Sequence, residues 1–172
     1  MKLKKTALLI FLVLGLTWPE TLPAQTASSP SLVETVEKGY LAYRRADYDE
    51  AIEIFTSIIR RRGLSIKERA VSYLLRGEAK REKGELEEAV FDFTRAINQW
   101  PNYPQAIFFR GQALIRLNRF SEALADLSRA AELDPNRQAY QTTLELLKIQ
   151  MEKAGIRNDL ADSPGINAPF ED

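Results

Sequence analysis

Three related segments follow one another along the chain at a nearly constant spacing. The second segment contains Gly77, Ala89, Phe93, Ala96 and Pro101. Each has a counterpart 34 residues later, and these are Gly111, Ala123, Leu127, Ala130 and Pro135. An earlier copy, with Gly39, Ala51 and Phe55, lies 38 residues before the second, and we place the four extra residues in 60–65. A unit of this length buries its apolar face only against a neighbouring copy, so the pattern predicts a stacked array.

Each segment is predicted to divide into two helices. Apolar residues are concentrated in 72–79 and 106–113, where Gly and Ala recur at fixed offsets, and these small residues allow two helices to approach closely. Gly84 and Asn118 lie midway, and both residue types accept the left-handed conformation that follows a helix end. Oxygen acceptors followed three positions later by glutamate predict helix starts at Ser31, Asp47 and Ser65.

This pattern of Gly, Ala, aromatic and Pro resembles the tetratricopeptide repeat (TPR) over residues 32–137. The resemblance implies an all-α fold, a right-handed α-α superhelical solenoid of three TPR-like helix-turn-helix repeats. The repeats are predicted at about 32–65, 70–103 and 104–137. Residues 137–154 keep helical apolar spacing without a repeat glycine, and we predict that they form a C-terminal capping helix. The TPR domain is therefore predicted at 31–154.

In this family, binding usually takes place on the concave face formed by the first helix of each repeat. The resemblance places twelve side chains in such a peptide-binding groove: Tyr40, Tyr43, Arg44, Leu74, Leu75, Glu78, Arg81, Gln105, Phe108, Phe109, Gln112 and Arg116. Apolar and aromatic residues with arginines along the edge suit an extended or helical peptide with apolar anchors and an acidic group. Alternatively, the chain's own tail or a second copy covers these apolar residues.

One subclass of the family binds the C-terminal carboxylate of cytosolic heat-shock chaperones through a clamp of Lys, Asn and Arg. The positions that match this clamp are Val36, Tyr40, Leu75, Gln105 and Phe109. None of them has the required side chain. The resemblance therefore argues against a co-chaperone of this type.

Asp and Arg recur once per unit, with Asp92 and Asp126 before the core residue and Arg76 and Arg110 before the glycine. We predict an ion pair between neighbouring repeats, such as Asp92 with Arg110. A position that recurs in every unit serves stacking, whereas an active site occurs once. These carboxylates are therefore not expected to be catalytic.

Composition narrows the function classes further. The chain has no histidine and no cysteine, which excludes Ser-His-Asp triads, thiol nucleophiles and zinc fingers. No catalytic residue, metal site or cofactor is predicted, and the chain is expected not to be an enzyme. A glycan-acting enzyme with a carboxylate pair is the least favoured alternative. The 24 basic and 24 acidic residues leave a formal charge of zero, so nucleic acid is not an expected partner.

Residues 1–24 have the three parts of a secretory signal peptide: lysines, an apolar run and a small residue. The run at 6–18 has 13 residues, fewer than the roughly 20 that span a membrane. We predict cleavage after Ala24, with Ala27 as a second choice, followed by a short linker at 25–30. No stable membrane insertion is expected after cleavage. Residues 155–172 have little periodicity, and we predict a disordered tail.

These features together predict an exported bacterial-type TPR protein of the periplasm or cell envelope, with secretion as a second choice. Its predicted role is that of a non-enzymatic adaptor or assembly scaffold that binds a protein or peptide partner in the groove. The alternative role is a self-associating structural solenoid, which makes a homo-oligomer.

Overall fold

The computed structural model describes residues 31–156, and the regular secondary structure of this range is entirely α-helical. Each helix packs chiefly against its neighbours along the chain. The predicted signal peptide, the linker and all but the first two residues of the predicted tail lie outside the described residues. The seven helices in this range are α1 (Leu32–Arg44), α2 (Tyr48–Ile59), α3 (Ile66–Lys83), α4 (Leu86–Gln99), α5 (Pro104–Arg116), α6 (Phe120–Leu133) and α7 (Gln138–Lys153).

Side-chain caps start three of these helices where the sequence predicts them. Ser31 and Ser65 each form a complete capping box, and the Asp47 side chain accepts a hydrogen bond from the backbone N–H of Glu50. Gly84 and Asn118 adopt the left-handed conformation, with φ of 97° and 58°. After α1 the left-handed residue is Ala46, with φ of 62°. Alanine rarely adopts this conformation, so the residue type did not indicate this helix end in the sequence.

Within each repeat, a side chain of the second helix packs tightly against the repeat glycine of the first. A Cβ atom on Gly77 would lie 2.7 Å from the ring of Phe93, and one on Gly39 would lie 2.8 Å from Phe55. Both phenylalanine side chains are fully buried or nearly so. The glycine is required because the aromatic ring occupies the space of a side chain.

The four extra residues between the first two repeats do not simply lengthen the loop. Helix α3 begins eleven residues before Gly77, whereas α5 begins only seven residues before Gly111. The extra residues therefore add one turn to the start of α3, where the Ser65 capping box stabilises it. Placing all of them in 60–65 was wrong.

Helix α7 covers the last repeat. It buries Tyr140, Leu144, Leu147 and Met151 and packs against α6. The outer face of α7 exposes Leu146 and Ile149. The all-helical repeat fold with a final capping helix is confirmed.

Candidate functional site

The recurring Arg–Asp pairs lie inside repeats. Arg76 donates two hydrogen bonds to Asp92, at 2.8 and 2.6 Å, and Arg110 donates two to Asp126, both at 2.7 Å. The predicted pair between Asp92 and Arg110 was therefore wrong. The reason is that Arg76 and Asp92 lie on the two helices of one unit, which are in closer contact than helices of different units.

The same arginines still link neighbouring repeats through their third hydrogen bond. Arg76 Nη1 donates to Thr56 Oγ1 at 3.1 Å, and Arg110 Nη1 donates to Thr94 Oγ1 at 3.1 Å. Each threonine belongs to the preceding repeat. The carboxylates of Asp92 and Asp126 hold these arginines in place, so both are structural residues.

The part of the chain that the structure describes contains no group of acidic side chains arranged to hold a metal ion. In residues 31–156, no helix has both the length and the apolar character to cross a membrane.

The twelve predicted groove residues lie on α1, α3 and α5, the first helices of the three repeats. Two of them are not available to a ligand, since Leu74 is only 6% exposed and Phe108 only 7%. The Phe108 ring packs against Tyr140 of α7, with ring centroids 4.5 Å apart. Assigning Leu74 and Phe108 to the ligand-contacting surface was wrong, because neighbouring helices cover both. The other ten side chains are half-buried or exposed.

Arg81 is held inside the groove wall by contacts to α5. One Nη atom donates to Gln112 Oε1, and the other donates to Glu82 at 2.6 Å. The guanidinium lies 5.0 Å from the centroid of the Phe109 ring, and Arg116 donates to the Arg81 carbonyl at 2.8 Å. Arg81 therefore joins α3 to α5, and its charge is already paired.

A pocket of about 340 Å³ opens beside this network. Its lining includes Arg81, Gln112, Arg116 and, from α7, Thr143. Thr143 is not among the predicted groove residues, although it lies 34 residues after Phe109 and so holds the equivalent position in α7. The final helix thus contributes to the groove as well as covering the last repeat.

Glu78 lies in the C-terminal half of α3, near Tyr43 and Tyr103. Burial raises the pKa of its carboxyl group to about 7, the charge of Arg81 opposes this, and the charge of Glu82 adds to it. Burial, with Glu78 nearby, also raises the pKa of Tyr43 on α1 and that of Tyr103, to about 12 in the latter. Tyr103 precedes α5 and was not among the predicted groove residues, because it stands just outside the first helix of its repeat.

Glu78→Gln is expected to remove a loss of stability that the wild type shows as the pH rises. The folded chain holds a proton on Glu78 that the unfolded chain releases near its ordinary pKa of 4.5. The stabilisation is therefore fully present below about pH 4.5 and is lost as the pH rises through about 7. From about pH 5 to pH 8, the free energy of unfolding should fall by about 1–3 kcal/mol more in the wild type than in Glu78→Gln. Urea unfolding at both pH values measures this, and equal pH dependence in the two proteins would contradict it.

Known proteins resemble this chain in sequence, and solved structures resemble it in fold. The human tetratricopeptide repeat protein 13 is 29% identical over 123 residues, which cover 70% of this chain and 14% of that protein. The first TPR domain of Spaghetti (RPAP3), bound to the HSP90 peptide SRMEEVD, is 25% identical with a TM-score of 0.65. This match covers 70% of the present chain and 94% of that domain. The second TPR domain of human RPAP3, in complex with the HSP70 peptide SGPTIEEVD, is 28% identical with a TM-score of 0.61, covering 67% and 93%.

Two family models, each described as tetratricopeptide repeat, match residues 36–104 and 80–147. They overlap, and together they extend over well more than half of the chain. The matched range contains all three repeat glycines and the start of α7. The chain belongs to the tetratricopeptide repeat family.

Proposed function

We propose that this chain is a non-enzymatic adaptor or assembly scaffold that binds a peptide segment of a protein partner in the concave groove. The observation that carries the proposal is the groove itself, in which ten of the predicted side chains are half-buried or exposed on three stacked helices. The two RPAP3 domains, which share the fold, are described with bound peptides. Stacked helices hold the contact residues rigidly, so little conformational entropy is lost when a peptide docks.

The chemistry of the groove differs from that expected for a heat-shock peptide. The peptides in the two RPAP3 complexes end in Glu-Glu-Val-Asp. At the positions that match the carboxylate clamp, this chain has apolar, aromatic or amide side chains, and Arg81 is already paired with Glu82. We therefore propose a partner other than a chaperone C-terminus.

The proposed location is the periplasm or cell envelope, supported by the signal-like sequence of residues 1–24. In bacterial cells that express the full chain, the mature protein is expected to begin at Gln25. N-terminal sequencing of the protein from the periplasmic fraction tests this. A chain that keeps Met1 and remains in the cytoplasm would contradict the export proposal.

Photo-cross-linking tests the groove as the binding surface. A photoreactive amino acid in place of Tyr40 or Arg116, both exposed in the groove, is expected to capture the same partner from an envelope extract. The matched control places it at Glu53, which is exposed on α2 outside the predicted groove, and should not capture that partner. Phe108 is unsuitable, because a substitution there disturbs the core.

Equal capture from Glu53 and from the groove positions would contradict binding in the groove. Cross-links between copies of the chain would instead favour self-association, the second candidate function. A specific feature favours this candidate: the outer face of α7 exposes 62% of Leu146 and 45% of Ile149. An apolar face of this kind at the end of a stacked array can pack against a second copy.

A further inference from the structure

One carboxylate in the groove has no partner among the residues that the structure describes. Glu78 is half-buried, and within residues 31–156 its side chain accepts no hydrogen bond and forms no ion pair. Arg81 lies one turn further along the same face of α3, where it would ordinarily pair with Glu78. The contacts to Gln112, Glu82 and Phe109 hold the Arg81 guanidinium elsewhere.

The surroundings of Glu78 favour a positive charge. On α1, the rings of Tyr40 and Tyr43 stack with centroids 6.3 Å apart, and 46% of Tyr40 is exposed. Tyr103, just before α5, is also near Glu78, but it is buried and its ring stacks on Trp100, so the tyrosines available to a ligand are those of α1. Tyrosine faces attract cations, and a partly buried carboxylate gains most from a charge that replaces its lost hydration.

We propose that Glu78 binds a lysine or arginine side chain of the docked peptide segment, next to the tyrosines of α1. This inference rests on the proposed function and specifies the chemistry of the partner. It also reverses the acidic preference predicted from the arginines, because Arg81 pairs with Glu82 and Gln112 in the groove wall, while Glu78 forms no ion pair within residues 31–156.

A random peptide library displayed on phage, selected on the purified chain, tests the inference. Selected peptides are expected to share a Lys or Arg at a fixed distance from apolar residues. Replacing that residue by norleucine should weaken binding about tenfold or more. Glu78→Gln should weaken binding similarly, and norleucine should then cause no further loss. Glu53→Gln, which removes the same charge from α2, should leave the affinity unchanged.

Binding of the selected lysine peptide should also tighten from about pH 6 to pH 8, as Glu78 loses its proton. The charged and titratable groups facing Glu78 are Arg81 and Glu82 on α3, Tyr43 on α1 and Tyr103 before α5. The raised pKa values of the two tyrosines keep both neutral in this range. The trend should disappear in Glu78→Gln.

The outcomes separate this inference from the proposed function. If no peptide is selected, both fail. If peptides cross-link to position 40 or 116 but share no cation, or bind Glu78→Gln as tightly as the wild type, the inference is overturned while groove binding stands. An equal norleucine effect in the wild type and Glu78→Gln would also overturn it.

Discussion

Asp92→Ala is expected to lower the free energy of unfolding by about 3–5 kcal/mol, the usual effect of removing one partner from a buried ion pair. The Asp92 side chain is fully buried and pairs with Arg76 at 2.6 Å and Lys80 at 2.8 Å. Its loss leaves two largely buried positive charges without a counter-ion. Urea unfolding followed by circular dichroism measures the change.

Two matched variants make this result specific. Asp126→Ala removes the equivalent carboxylate of the next repeat. Within the described range it pairs with Arg110 alone, and its side chain is 10% exposed, so a smaller loss is expected. Glu145→Ala breaks the exposed pair with Lys148 and should cost at most about 1 kcal/mol. If Asp92→Ala unfolds no more readily than Glu145→Ala, the buried network does not stabilise the stack as we describe.

Phe93→Ala is expected to lower the free energy of unfolding by about 3–5 kcal/mol, through lost burial and the cavity left behind. Phe93 is fully buried, packs on the backbone at Gly77, and has its ring centroid 6.1 Å from that of Phe109 in the next repeat. The substitution therefore loosens contacts within one repeat and between two. Urea unfolding monitored by circular dichroism gives the magnitude.

The control for Phe93 lies two residues earlier on the same helix. Phe91 is 55% exposed, so Phe91→Ala should change the free energy of unfolding by no more than about 1 kcal/mol. Similar losses for the two variants would mean that Phe93 does not form the centre of the second repeat. The contrast also guides binding studies, because variants at buried Leu74 or Phe108 report on folding, whereas variants at exposed Tyr40 or Arg116 report on the groove.

Much of the candidate site was predictable in position but not in chemistry. The spacing of the repeat correctly placed the groove residues on the first helices, since residues that recur every 34 positions occupy equivalent places. Their availability depends on side chains from other helices. Tyr140 covers Phe108, and Gln112 and Phe109 hold Arg81. Helical periodicity carries no information about such contacts.

The sequence by itself determined the repeat number, the pairing of helices in each repeat and the capping helix, because small, aromatic and capping residues act over short, regular distances. Only the tertiary structure decided that Arg76 pairs with Asp92 inside its own repeat and donates a hydrogen bond to Thr56 of the preceding repeat. It also decided that Arg81 pairs with Glu82, while Glu78 forms no ion pair with the other residues of 31–156. These outcomes depend on how adjacent helices are offset, and therefore on which side chains come within hydrogen-bond distance.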